Sequence, residues 1–194
     1  MSAESRGSSS DDSSRKRRWR TPPELFVRMH RLHRYDFDAA AEAPNLLPTH
    51  ITPADDCLTA LWGRYGRRAW FNPAWGPKFE ACAPDCTKDH VHHAEASPGT
   101  AAFVARALNQ ARTLDLVTML LPTAPDTSWW RSAFRASADV LLLTRVAFID
   151  PDTGKPAHAP PGAGCTIFHI GPAVGPTLDS PRVHLADETG AIVR

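Results

Sequence analysis

Long apolar runs are missing from this chain of 194 residues. No stretch approaches the ~20 apolar residues that a membrane-spanning helix needs, so no membrane partner is expected. The N-terminus has no apolar segment of the kind a secretory signal carries. Cysteine is sparse: Cys57, Cys82, Cys86 and Cys165 are the four present, and their spacing suggests no disulfide framework. Without a secretory signal they are expected to stay reduced, in a cytosol-like compartment. An excess of charge of one sign is also lacking, with 22 Lys and Arg against 21 Asp and Glu. That balance excludes a global basic field, so any attraction for nucleic acid must come from local patches. Residues 1–20 supply one, with six basic side chains against three acidic ones; the remainder holds 16 against 18. What the chain has in quantity is proline, 18 residues, which points to many loops. The length allows one domain, or one domain with tails.

Residues 1–18 are Ser, Asp, Lys and Arg with almost nothing to bury, and read as a disordered tail. The run from Arg15 to Arg20 suits phosphate contacts, or a nuclear address in a eukaryotic source, as well as it suits a solvated tail. Thr21-Pro22-Pro23-Glu24 then predicts a helix start, with Thr21 as N-cap, Pro22 at the first helical position and Glu24 completing a capping box. Leu25, Phe26, Met29 and Leu32 share one face of that helix, which is expected to reach about His33. The alternation Tyr35/Phe37 predicts a short strand ending at Asp38-Ala39-Ala40-Ala41. A carboxylate there can accept hydrogen bonds from ribose hydroxyls or an amine, or can simply cap the next turn. Residues 44–54 read as loop, and Asp56 opens a short amphipathic segment containing Leu58 and Trp62.

Further on, helices are predicted over about 98–113, with Phe103, Val104, Ala107 and Leu108 as an apolar stripe, and from Asp126-Thr127-Ser128 to about Ser137. Apolar strands are predicted at 115–121, closed by Pro122, at 140–143 and at 165–170, with a Pro-rich loop over 151–164. Residues 183–193 suggest a small hairpin around Glu188-Thr189-Gly190. Strands alternating with helices indicate an α/β domain with a largely parallel sheet.

The most informative stretch is Trp70-Phe71-Asn72-Pro73-Ala74-Trp75-Gly76. An apolar run ending in Asn-Pro is how a buried strand delivers a polar residue to the rim of a sheet, where open α/β sheets hold ligands. The Asn72 side-chain oxygen can accept from an amino group. Pro73 offers a carbonyl without an N–H of its own, and Trp75 offers a flat face for a planar ring. Those three groups suit holding the exocyclic amine of a flipped-out base, although the same heptapeptide also fits a plain strand and turn. The following stretch, 77–99, crowds Cys82, Cys86, His90, His92 and His93 together. These are zinc-ligand types, but all fall within one short loop with no room for a small fold between ligand pairs. A flexible lid or a DNA-contacting loop is the preferred reading.

Taken in order, these short stretches resemble the phage-type, Dam-like DNA N6-adenine methyltransferases. The matching residues are Trp19 with Thr21-Pro22, Asp38-Ala39-Ala40, Asp56-x-Leu58 with Trp62, Trp70-Phe71-Asn72-Pro73, Leu120-Leu121-Pro122, Trp130, Arg145-Val146-Ala147-Phe148, and Ile167-Phe168. The resemblance spans most of residues 19–171, implying a methyltransferase domain there, with 77–99 inserted and 172–194 as a C-terminal extension. It implies a Rossmann-like fold using S-adenosylmethionine, with double-stranded DNA as partner and a cytoplasmic location. Protection from restriction is the biological role the phage family suggests. Trp19, Thr21, Pro22, Asp38, Ala40 and Asp56 would bind the cofactor, and Asn72, Pro73 and Trp75 would hold the target adenine. Two departures stand out. Ala74 replaces the family's second proline, releasing Pro73 from the restriction a following proline imposes. No Gly-rich cofactor loop is present; Asp38-Ala39-Ala40-Ala41 stands in its place, as is similar in this family. Methylation of a glutamine side-chain amide and a catalytically silent DNA-binding relative are the alternatives, and oligomeric state is left open.

Overall fold

Apolar runs bounded by turn residues become central strands when both faces of a sheet are covered. In a computed structural model, which describes residues 19–83, 85, 87, 96–157, 164–174 and 181–193, the predicted runs do so. The strands are β1 (Phe37–Asp38), β2 (Arg68–Phe71), β3 (Leu116–Pro122), β4 (Asp139–Leu143), β5 (Cys165–Ile170) and β6 (Arg182–Ala186). They form one sheet in the order β1-β2-β3-β5-β4-β6. β1 with β2, β2 with β3 and β4 with β6 run parallel. β5 is antiparallel to both of its neighbours, β3 and β4. The fold is therefore mixed α/β, with five strands pointing one way and β5 reversed between them.

The helices are α1 (Pro23–His33), α2 (Gly99–Gln110) and α3 (Ser128–Ala136). Strand alternation divides the core into two layers. Ala69, Phe71, Val117, Met119, Leu121 and Phe168 face the side carrying Val104 and Ala107 of α2 and Trp130 and Ala133 of α3. Trp70, Leu116, Leu120 and Ile167 face the other side, against Leu25, Phe26 and Met29 of α1. Two-sided burial explains the absence of polar alternation in β3 and β5.

Several expectations are revised. Thr21 is not the N-cap of α1; Pro22 is, with no side-chain cap bond, because the helix begins at Pro23. Residues expected as loop contain a single parallel bridge, Asp38 to His50, with the Ile51 N–H on the Asp38 carbonyl at 2.8 Å. The final hairpin forms as read: the Asp187 N–H reaches the Ala191 carbonyl at 2.9 Å, and β6 joins the sheet through β4. α3 also starts as read, with Thr127 accepting from the Trp130 N–H at 3.4 Å. No helix among the described residues is long and apolar enough to cross a membrane.

β5 leaves the sheet through Gly171, whose φ is +130°. A Cβ there would lie 2.5 Å from the Asp115 carbonyl oxygen, just before β3 begins. Gly171→Ala is expected to destabilise the fold by about 1–3 kcal/mol through backbone strain, seen as a lower thermal midpoint by circular dichroism. An unchanged midpoint would contradict this packing of the β5 exit on the start of β3.

Candidate active site

β1 and β2 are parallel, and Asp38 is the register partner of Trp70. Two residues past Trp70, just beyond the end of β2, comes Asn72, so one rim of the sheet receives both polar side chains. By strand alternation Asn72 shares the side of Trp70, which is the side of α1 and of the segment preceding it. That segment is tied down. The Arg20 N–H donates to the Ile149 carbonyl, and the Ile149 N–H donates back to the Arg20 carbonyl, each at 3.0 Å. Trp19 stacks on Phe148 with ring centroids 5.9 Å apart.

The Asn72 Nδ2 donates to the Thr21 Oγ1 at 3.1 Å and to the Trp19 carbonyl at 3.3 Å. A main-chain carbonyl can only accept, which identifies the Asn72 atom facing Trp19 as the nitrogen. Both amide donors are then used, and Oδ1 has no donor among the described residues. The Pro73 carbonyl likewise receives no backbone N–H among them. Beyond Ala74, Gly76 is held by Thr100 at the start of α2. The Gly76 N–H donates to the Thr100 Oγ1 at 3.0 Å, and the Thr100 N–H donates to the Gly76 carbonyl at 2.9 Å.

Two adjoining cavities open at this rim. The smaller, about 250 Å³, is lined by Trp19, Arg20, Thr21, Asp38, Ala40, Asn72 and Ile149, among others. The larger, about 620 Å³, is bordered by Asp56, Cys57, Leu58, Pro73, Phe79 and Phe103, among others. Ala40, Glu42 and Ala74 line both. The structure thus brings together Trp19, Thr21, Asp38, Ala40 and Asn72 in one cavity, with Asp56 and Pro73 in its neighbour. Pro22 lines neither; its carbonyl accepts the Phe26 N–H at 3.1 Å to begin α1. Trp75 also lines neither. Its ring meets Phe148 at 89° with centroids 4.9 Å apart, and its Nε1 is buried without a hydrogen-bond partner. The aromatic ring bordering the smaller cavity is Trp19.

Glu42, Ile149 and Gly154 are wall residues that sequence reading missed. Ile149 arrives through a pairing of residues over a hundred positions apart, which no local signal announces. Cys82 is half-buried, whereas Cys86, His90, His92 and His93 lie outside the described residues. Among the described residues no group of His, Cys, Asp and Glu is arranged to hold a metal.

Asp38 is buried, and its Oδ1 accepts the Ala40 N–H at 3.0 Å. Burial pushes its carboxyl up to about 6, against the smaller opposing effects of the Ala40 N–H and nearby His50. Asp56 sits at φ +51° and caps its own turn, taking the Leu58 N–H on Oδ1 at 3.0 Å and the Thr59 hydroxyl on Oδ2 at 3.1 Å. Cys57, in the larger cavity, is raised to about 12, chiefly by burial, so it is not a thiolate nucleophile at neutral pH. The site has acceptors and carboxylates and no activated nucleophile among its described residues. That equipment suits aligning an amine, not forming a covalent intermediate.

Residues 8–177 match the family described as DNA N-6-adenine-methyltransferase (Dam). The chain is also 26% identical over 155 residues to a DNA N-6-adenine-methyltransferase of Escherichia phage T1. That alignment covers 71% of this chain and 56% of the relative, so the chain spans little more than half of the relative's length.

The buried Asp38 gives a test with a definite sign. Its carboxyl rises from 3.8 to about 6 on folding, a difference of about 3 kcal/mol. Below pH ~4 both states are protonated and the group has no effect; between about 4 and 6 the unfolded chain ionises first and stability falls; above 6 the loss is constant. Asp38→Asn keeps the acceptor for the Ala40 N–H and removes the buried charge. Its stability relative to the parent, from urea unfolding without ligand, is expected to grow between pH 4 and 6 and then level off. A difference independent of pH would show that Asp38 does not titrate as a buried acid.

Proposed function

The chain belongs to the DNA N-6-adenine-methyltransferase (Dam) family, and from that premise we propose that it transfers a methyl group from S-adenosylmethionine to the N6 amine of adenine in double-stranded DNA. The observation that carries this reading is the acceptor left open just past the end of β2, the Asn72 Oδ1 in the smaller cavity, with Pro73 following it at the border of the larger one. The Asn72 amide nitrogen is committed to Thr21 and Trp19, which leaves Oδ1 and the neighbouring Pro73 carbonyl for an amine with two hydrogens. Cavities at the carboxyl ends of β1 and β2 support a Rossmann-like reading of the sheet.

The residues present fit the cofactor's charge and size. Asp38 and Glu42 line the smaller cavity and complement a cationic ligand. The larger, about 620 Å³, lies within the ~300–1,000 Å³ usual for small-molecule sites and suits an adenosyl group beside Asp56. When bound, S-adenosylmethionine supplies a methyl group on a sulfonium as electrophile. The adenine N6 lone pair is delocalised into its ring. Accepting both N6 hydrogens, the Asn72 Oδ1 and the Pro73 carbonyl favour a pyramidal nitrogen whose lone pair is free to attack. The same oxygens stabilise the positive charge that grows on N6 as the N–C bond forms and the C–S bond breaks. The extra N6 proton then leaves to solvent. No base is required; the contribution is alignment and exclusion of water. A flipped base needs a stacking surface, and Trp19, which borders the smaller cavity, and the half-buried Trp75, perpendicular to Phe148, both offer one. The target duplex is expected to be read by segments 77–99 and 150–164, assisted by the basic run Arg15 to Arg20, parts of all three lying outside the described residues, and the enzyme to act in the cytoplasm.

Incubation with methyl-labelled S-adenosylmethionine and unmethylated duplex DNA, followed by nucleoside digestion, is expected to place label in N6-methyladenine. Asn72→Ala should reduce transfer roughly a hundredfold, the scale of losing one transition-state hydrogen bond, with cofactor binding nearly unchanged. Label recovered in protein would favour the glutamine-amide alternative, and cofactor binding without turnover would favour a silent relative.

Because a cationic cofactor favours ionised Asp38, its affinity by calorimetry should weaken as pH falls through about 6, with proton release in that range. Flat affinity between pH 5 and 8 would separate Asp38 from the cofactor.

A further inference from the structure

We infer that Thr21 is a positioning residue for the methyl transfer, holding the Asn72 amide in the orientation that the Trp19 carbonyl selects, and that this pair of contacts commits the chain to Asn rather than Asp at position 72. The inference rests on the proposed function for its activity readout, but its geometry stands apart from it.

An amide presents chemically opposite edges. Rotating the Asn72 side chain by half a turn would put Nδ2 where the target amine must be held, and two donors cannot pair. The Trp19 carbonyl, 3.3 Å away, can only accept and so selects the productive edge, while the Thr21 Oγ1, 3.1 Å away, accepts the second amide hydrogen and holds the group there. The hydroxyl is placed to do this because it is not spent on capping: α1 takes Pro22 as its N-cap with no side-chain cap bond. Thr21 is also buried, so water does not readily substitute for Asn72 there. Both contacts are backed by the paired hydrogen bonds between Arg20 and Ile149. A carboxylate at position 72 would bring an oxygen against the Trp19 carbonyl, acceptor against acceptor. Asn72→Asp is therefore expected to be impaired here.

Three variants test this: Thr21→Val, which removes the hydroxyl at nearly constant shape; Thr21→Ser, which keeps it; and Asn72→Asp. Thr21→Val should lower kcat for DNA methylation roughly tenfold, the effect of one neutral hydrogen bond. Its dissociation constant for S-adenosylhomocysteine should stay within about twofold of the parent's, since the side-chain hydrogen bond that the substitution removes is to Asn72. Thr21→Ser should recover most of kcat, and Asn72→Asp should lose more than Thr21→Val. A Thr21→Val variant with normal kcat and weakened cofactor affinity would overturn the inference and assign Thr21 to cofactor binding. Asn72 side-chain amide protons observed by nuclear magnetic resonance give a readout that needs no turnover. In the parent, both protons should resonate as hydrogen-bonded, and Thr21→Val should shift one upfield. An unchanged amide pair would overturn the positioning role even where no methylation is detected, so failure of the proposed function and failure of this inference are told apart.

Discussion

The parallel register of β1 on β2 is the constraint on which the site depends. It sets Asp38 beside Trp70 and carries Asn72 past the last strand residue to the same rim. A shift of one residue would exchange the faces of β2, burying Asn72 on the side of α2 and sending Phe71 toward Thr21. The apolar content of β2 prevents that slip: Ala69 and Phe71 are fully buried in one layer and Trp70 in the other. Packing therefore fixes the polar geometry. The hydrogen bonds of Asn72 refine a position that hydrophobic burial has already chosen.

Burying Asp38 runs against stability in the free protein, since its carboxyl is raised to about 6 by loss of water. One backbone N–H, from Ala40, compensates only in part. The Asp-Ala-Ala-Ala turn makes the burial possible because Ala39 and Ala41 are small enough to sit fully inside while their N–H groups pair with the Trp70 and Ile51 carbonyls. A carboxylate that is costly when empty gains most from a cationic or hydroxyl-bearing guest, which ties the fold's weak point to its binding chemistry.

What was legible in the sequence follows from range. Strand segments, the Thr127 cap and the closing hairpin are written within a few residues, and those readings agree with the structure. The reversal of β5 was not legible, because Cys165–Ile170 is buried on both faces and a continuous apolar run carries no direction. The start of α1 is ambiguous for a related reason: two consecutive prolines fit the first helical turn in two registers, and the chain takes the later one, with Thr21 in contact with Asn72, 51 residues away. Arg20 and Ile149 met with no local signal at all. Trp75 is half-buried, its ring perpendicular to Phe148 and against both core layers, a placement set by packing that no local motif encodes.

The departure at Ala74 can be weighed in the same terms. A second proline would hold Pro73 in the extended region by local sterics alone. Here the loop from Asn72 to Gly76 is gripped at both ends instead. Asn72 is fastened by its amide to Trp19 and Thr21, and Gly76 by reciprocal bonds with Thr100 at the head of α2. Only three residues lie between these anchors, one of them a proline with fixed φ and another a half-buried tryptophan. The conformational freedom that Ala74 restores is small, because tertiary contacts have already removed most of it. Ala74 is exposed and borders both cavities. Stiffness that the motif ordinarily encodes within itself is supplied here by α2 and by the segment before α1.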